Sequence, residues 1–152
     1  MPLKPPPRDE QGVVTPHNHD EISSDDQIIR RISEQHLIDD EKTGSRRISS
    51  LAFNPSAGPN GGLSVDLKRQ IEEAGLSARQ YVTDARWLGS VYFTVGALRE
   101  NGFLVGFDPL PSNPYHGEIW GSFARPQKKK LHQLCRWFVQ IDNVQIGAPQ
   151  QN

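Results

Sequence analysis

Arg46-Arg47-Ile48-Ser49-Ser50-Leu51-Ala52-Phe53 and, after a turn, Gly61-Gly62-Leu63-Ser64-Val65-Asp66-Leu67 are the stretches on which the fold class turns. Both read as short strands in which Arg, Ser and Asp are set among apolar residues. Polar side chains in a half-buried strand need partners. They form either a fixed hydrogen-bond network or a site. Between the runs, Asn54 to Gly61 is a dense cluster of Pro, Gly, Asn and Ser that reads as a turn.

Outward from these runs the elements are short and mixed. Gln27–Ile32 reads as a strand, as do residues 88–93, 103–107 and 115–120, with 139–141 closing a sheet. Asp66 is expected to cap a helix from Leu67 to Ala74 that stops at Gly75, and Thr94 to cap another through Glu100. A third helix is expected to start at Pro126, with Leu131, Leu134, Cys135 and Phe138 at i, i+3, i+4 and i+7 on one stripe. Short strands with about three short helices, and no regular βαβ alternation, predict an α+β domain with one mixed or mostly antiparallel sheet.

The 152 residues suffice for one core. Residues 1–25 read as an irregular, proline-rich and acidic leader, 26–147 as a single globular domain, and 148–152 as a frayed tail. The leader is too polar for a signal peptide, and no apolar run approaches the roughly 18 residues of a membrane span. Cys135 is the only cysteine, which excludes an internal disulfide and is the pattern of a cytoplasmic protein. Charge is uneven: residues 1–45 hold ten acids against five bases, while 121–152 hold five bases against one acid. Either end is therefore a candidate to dock another protein, and the Lys128–Lys130 run beside Trp120, Phe123, Trp137 and Phe138 makes nucleic acid a lesser candidate.

Several chemistries find no support. The Ser56–Gly62 turn lacks the Lys-Ser/Thr pair of a phosphate loop, and Cys135 on an apolar stripe reads as core. His17-Asn18-His19 lies in the leader, without the second shell that holds a metal, so no metal site is expected. What remains is a set of dispersed polar residues. Arg31, His36, Arg47, Ser50 and Asp66 are the candidate ligand-binding residues, and Ser49, His116 and Glu118 the candidate catalytic ones. His116 and Glu118, two apart on a strand, share a face. Arg31 could clamp an anion and Glu118 act as a base, or Arg31–Glu118 and Arg47–Asp66 could simply be ion pairs.

An Arg in the first strand, a Ser-Ser run and a late strand with Glu resemble the Arg–Ser–Glu arrangement of bacterial mono-ADP-ribosyltransferases. That resemblance implies an α+β fold binding NAD in a cleft. Arg31 would meet the NAD phosphates, Ser49 support the nicotinamide pocket and Glu118 stabilise an oxocarbenium-like transition state. The chain departs from the pattern at His116, where that family often has Glu or Gln, and in reading Ser-Ser-Leu for Ser-Thr-Ser. Arg-Ile-Ser-Ser-x-Ala-Phe, Leu-Ser-Val-Asp-Leu and Asn-Pro-Tyr-His also resemble small uncharacterised bacterial proteins, which implies a lineage without an activity. Two functional readings result: a binding or accessory module that docks a macromolecule, and an ADP-ribosyltransferase-like enzyme that uses NAD or another nucleotide.

Overall fold

The computed structural model describes residues 2–147 and shows an α+β fold. The strands are β1 (Gln27–Ser33), β2 (Leu37–Asp39), β3 (Arg46–Ile48), β4 (Leu63–Leu67), β5 (Trp87–Thr94), β6 (Leu104–Phe107), β7 (His116–Trp120), β8 (Arg136–Val139) and β9 (Val144–Gln145). The helices are α1 (Lys68–Glu73), α2 (Ala78–Tyr81), α3 (Val95–Glu100) and α4 (Arg125–Leu134), with 3₁₀ turns at Glu34–His36 and Ser50–Phe53. Six strands form a sheet in the order β6-β7-β4-β1-β5-β8, every neighbour antiparallel. A small second sheet, β2-β3-β9, pairs β3 with β9 in parallel.

The sheet has apolar material on both faces. Ile28 and Ile32 point to the larger core, with Phe53, Phe93, Leu98, Ile119 and Leu131. Ile29 points the other way and joins Ile71 of α1 and Ala78 and Val82 of the α2 region in a smaller cluster. That division follows from the period of two along β1. Helices α1 and α2 have six and four residues, so they cover only part of this second face.

The strand expected at 139–141 to close the sheet lies earlier, at β8 (Arg136–Val139), and three further local expectations fail, each for a visible reason. The run 46–53 is a strand only to Ile48; the Ser49 hydroxyl accepts the Leu51 N–H and turns the chain into the 3₁₀ segment. Asp66 does not cap α1, because its carboxylate is taken by Arg31 and Asn113; the helix begins at Lys68 with Leu67 at the cap position. The expected stripe from Leu131 to Phe138 is broken at Cys135, which is extended, and the aromatic residues after it form β8 against β5. Aromatic residues favour a strand that can pair, and here that outweighs the helical spacing.

Residues 2–25 form no helix and, apart from the Arg8–Val14 bridge, no strand pairing, yet they are packed. Val14, His19 and Ile22 are buried. The His19 N–H donates to the Val105 carbonyl, while the Val105 and Phe107 N–H groups donate to Asn18 Oδ1 and His17 Nε2. The leader thereby satisfies the outer edge of β6, a sheet edge that would otherwise offer unpaired backbone groups. The expected frayed tail at 148–152 lies outside the described residues.

Candidate functional site

Register assembles a row of polar side chains across the second face of the sheet. Ile29 pairs with Asp66, and Asp66 with His116; Ser64 pairs with Glu118. Antiparallel partners share a face, so Ser64, Asp66, His116 and Glu118 project to the side that holds Ile29. Arg31 lies two residues beyond Ile29 and points the same way.

The ladder between β1 and β4 has only two pairs, Ile28–Leu67 and Ile29–Asp66. Beyond them the Arg30 side chain takes over: its Nη1 donates to the Ser64 carbonyl of β4 and its Nε to the Ala52 carbonyl of the 3₁₀ turn, each at 3.0 Å. Burial lowers the Arg30 guanidinium to about 10, opposed by the nearby Glu118 and Asp66 carboxylates. Even so it stays a cation at neutral pH.

Arg31 is committed to Asp66. Its Nε and Nη2 reach the two carboxylate oxygens at 2.8 and 3.0 Å, a two-point clamp, and its guanidinium lies 5.5 Å from the Tyr81 ring centre. Asn113 Nδ2 adds a third bond to Asp66 at 2.7 Å, and the Tyr81 hydroxyl fixes that amide by donating to Asn113 Oδ1. Asp66 is buried, so these partners are what permit its charge.

His116 is held at both ring nitrogens. Nδ1 lies 2.6 Å from the main-chain carbonyl of Asp108, which can only accept, so Nδ1 carries a proton. In the neutral ring Nε2 is then bare and accepts the Ser64 hydroxyl at 2.5 Å. The Asp108 carboxylate stands 3.6 Å from Nδ1. Hydroxyl, imidazole and acceptor thus lie in series, the order that activates a nucleophile. Ser64 and His116 line two cavities at once. One, of about 490 Å³, has walls of Arg30, Arg31, Asp66, Tyr81, Trp87 and Asn113; the other, of about 710 Å³, is bounded by Asp108, Glu118, Arg8 and Asn60 among others.

Glu118 is 4% exposed, and its Oε2 has no hydrogen-bond partner. Burial, and secondarily the charge of Asp108, push its carboxyl up to about 7, with Arg30 opposing. Gly62 explains how it fits. A side chain there would stand 2.7 Å from the Trp120 indole nitrogen and 3.0 Å from Glu118, so only glycine lets both lie across β4.

The other sequence candidates lie elsewhere. Ser49 caps the 3₁₀ turn, its N–H donates to the His36 carbonyl, and it lines neither cavity. Ser50 is an exposed residue of the same turn. His36 stacks on Trp87, 6.5 Å between ring centres, and burial with the nearby Arg30 lowers it to about 4. Arg47 borders a separate cavity of about 380 Å³ with Lys129, His132, Cys135 and Arg136. Neither expected ion pair forms: Arg31 holds Asp66, not Glu118, and Arg47 makes no pair with Asp66. Burial raises the Cys135 thiol to about 12, the state of a core residue. Arg31, Ser49 and Glu118 do not surround one cavity.

Sequence reasoning passed over Ser64, Asp108, Asn113 and Tyr81. Ser64 was readable, since it precedes Asp66 by two in a strand, the spacing that singled out His116 and Glu118. The other three arrive from loops and a one-turn helix, where no period operates. No family model, curated protein or solved structure matches the chain.

Proposed function

We propose that the protein is a small hydrolase or transferase acting on an anionic, nucleotide-like substrate, with Ser64 as nucleophile and His116 as general base. The observation that carries this reading is the Ser64 Oγ–His116 Nε2 contact, with Nδ1 fixed by Asp108, at the junction of two open cavities. Ser64 Oγ attacks the substrate while its proton passes to Nε2, and Nδ1–H stays on the Asp108 carbonyl. The charged ring returns that proton to the leaving group. Arg30, whose Nη2 has no hydrogen-bond partner among the described residues, supplies positive charge beside the cleft, and Tyr81 and Trp87 give it aromatic walls. A cleft of this size suits a small molecule.

NAD is a reasonable first probe, because the resemblance to ADP-ribosyltransferases predicts it. What supports that narrower assignment is the sequence pattern, since Ser49 and Glu118 stand apart. The test pairs a fluorophosphonate with mass spectrometry and melting curves. Expected are a covalent adduct on Ser64 that His116→Gln lacks, and a rise in melting temperature with NAD or inorganic phosphate. An unmodified Ser64 together with unmoved melting curves would discard the proposal.

A docking module is the second reading, favoured by the exposed Lys129 and Lys130 in the middle of α4. In that reading another protein, or less readily a nucleic acid, binds there. The leader is a weaker docking element, because its buried groups already hold β6. Neutralising Lys129 and Lys130 would then remove binding while leaving Ser64 labelling intact. No described helix is long and apolar enough to cross a membrane. A cytoplasmic site is proposed from the single, unpaired Cys135.

A further inference from the structure

We propose that Asp108, His116 and Glu118 form a binding site for a divalent transition-metal cation. Each offers a donor atom, and the three donors lie within 4.8 Å of one another. Donors sharing one ion at about 2.1 Å stand roughly 3 to 4 Å apart. The Asp108 Oδ2–His116 Nδ1 distance of 3.6 Å already falls in that range. The Glu118 carboxylate, within 4.8 Å of the other two donors, enters that range by a side-chain rotation.

Glu118 itself is the independent pointer. It is 96% buried by its 4% exposure, its Oε2 has no protein partner, and it lines the cavity that Asp108 and His116 also line. A buried carboxylate oxygen left unpartnered carries a large desolvation cost, which an ion in that cavity offsets. Besides His116 Nδ1, Asp108 Oδ2 has a long contact, 3.4 Å, from Asn60 Nδ2. One imidazole and two carboxylates suit zinc or manganese better than magnesium or calcium, which favour all-oxygen shells. Three protein ligands leave a position open to the cavity.

Ligation by Nδ1 requires its proton to leave and the Asp108 main-chain carbonyl, 2.6 Å away in the same direction, to turn aside for the ion. The proton shifts to Nε2, which then donates to Ser64 Oγ where it had accepted. No proton is gained or lost overall: the ring changes tautomer, and the Asp108 carbonyl gives up its donor. The metal-bound histidine keeps a hydrogen bond on its second nitrogen, the usual arrangement of such ligands. Bound zinc and the Ser64 general base are therefore mutually exclusive states of one ring. This part rests on the proposed role of Ser64; the ion site itself does not.

Isothermal titration of Zn²⁺ into the chelator-treated, dialysed full chain tests the site, with Mg²⁺ as the hard-ion comparison. One equivalent should bind, and Glu118→Gln and Asp108→Asn should each weaken it more than tenfold. Ser64→Ala removes only the hydrogen bond on the second ring nitrogen and should weaken binding less than either ligand substitution. Asp108 lies on a loop, so its variant decides the matter if Glu118→Gln fails to fold. Absence of binding would overturn the proposal. So would affinity unchanged in the folded variants, which would place the ion elsewhere, His17 and His19 included. Loss of Ser64 labelling on zinc saturation supports the shared ring. Labelling that survives saturation refutes the sharing while leaving the site standing.

Discussion

One face of the six-stranded sheet is built in two different ways. Around Ile29 it is dry: Ile71, Ala78 and Val82 close over it, and none of these is more than 4% exposed. Two residues further along β1, and across β4 and β7, the same face carries Arg31, Ser64, Asp66, His116 and Glu118 and opens into two cavities. The backbone and the pleat are shared; the cover differs. Helices of six and four residues end before the polar row begins, and Tyr81, the last residue of α2, stands at the border against both Ile29's cluster and Arg31. A short cover leaves a cleft. Polar residues can occupy that cleft because each finds a partner, Glu118 Oε2 excepted.

Stability should divide along the same border. Ile71→Ala removes a fully buried side chain from the sealed half and should cost about 3 to 4 kcal/mol in denaturant unfolding, with no change in ligand binding. A cost below about 1 kcal/mol would mean the cluster is not a core. In the open half, Asp66→Ala strips Arg31 and Asn113 of their shared acceptor and should cost about 3 kcal/mol. Asp66→Ala in an Arg31→Ala background should cost much less, because the stranded charge is gone.

Glu118 should behave in the opposite sense. Its folded pKa of about 7 exceeds the ordinary 4.5, so the folded protein holds a proton that the unfolded chain has released. That contribution is complete below pH 4.5 and is lost as pH rises through 7. Glu118→Gln should therefore stabilise the protein by up to about 3 kcal/mol at pH 8 and by little at pH 4.5. Equal effects at both pH values would remove the case for a buried, unpaired carboxylate. The smallest effect should come from Cys135: a thiol raised to about 12 in the core should react with a maleimide only on unfolding, and fast labelling of the native protein would contradict its placement.

Much of the fold was legible because strands announce themselves. Residues 27–32, 62–66 and 115–120 alternate or run apolar, and all three became strands of the main sheet. The failures share a cause. Ser49 and Asp66 were read by local rules, as strand and helix cap, whereas their hydroxyl and carboxylate were claimed by a turn and by a distant arginine. The second sheet escaped notice because β9 is two residues long and pairs in parallel with β3 across about a hundred residues of chain. For the site, the sequence pointed to Arg31, Asp66, His116 and Glu118, and the structure brings these onto one face. It could not reveal that Arg31 is spent on Asp66, or that Asp108 reaches His116, since neither contact follows from spacing.

The central claim is that His116 presents a bare Nε2 to the Ser64 hydroxyl. Long-range proton–nitrogen NMR of the ¹⁵N-labelled protein reads the tautomer directly. The account predicts, for the neutral ring, a proton on Nδ1 and an Nε2 resonance that moves in Ser64→Ala. A neutral His116 protonated at Nε2, or an Nε2 signal indifferent to Ser64, would contradict it.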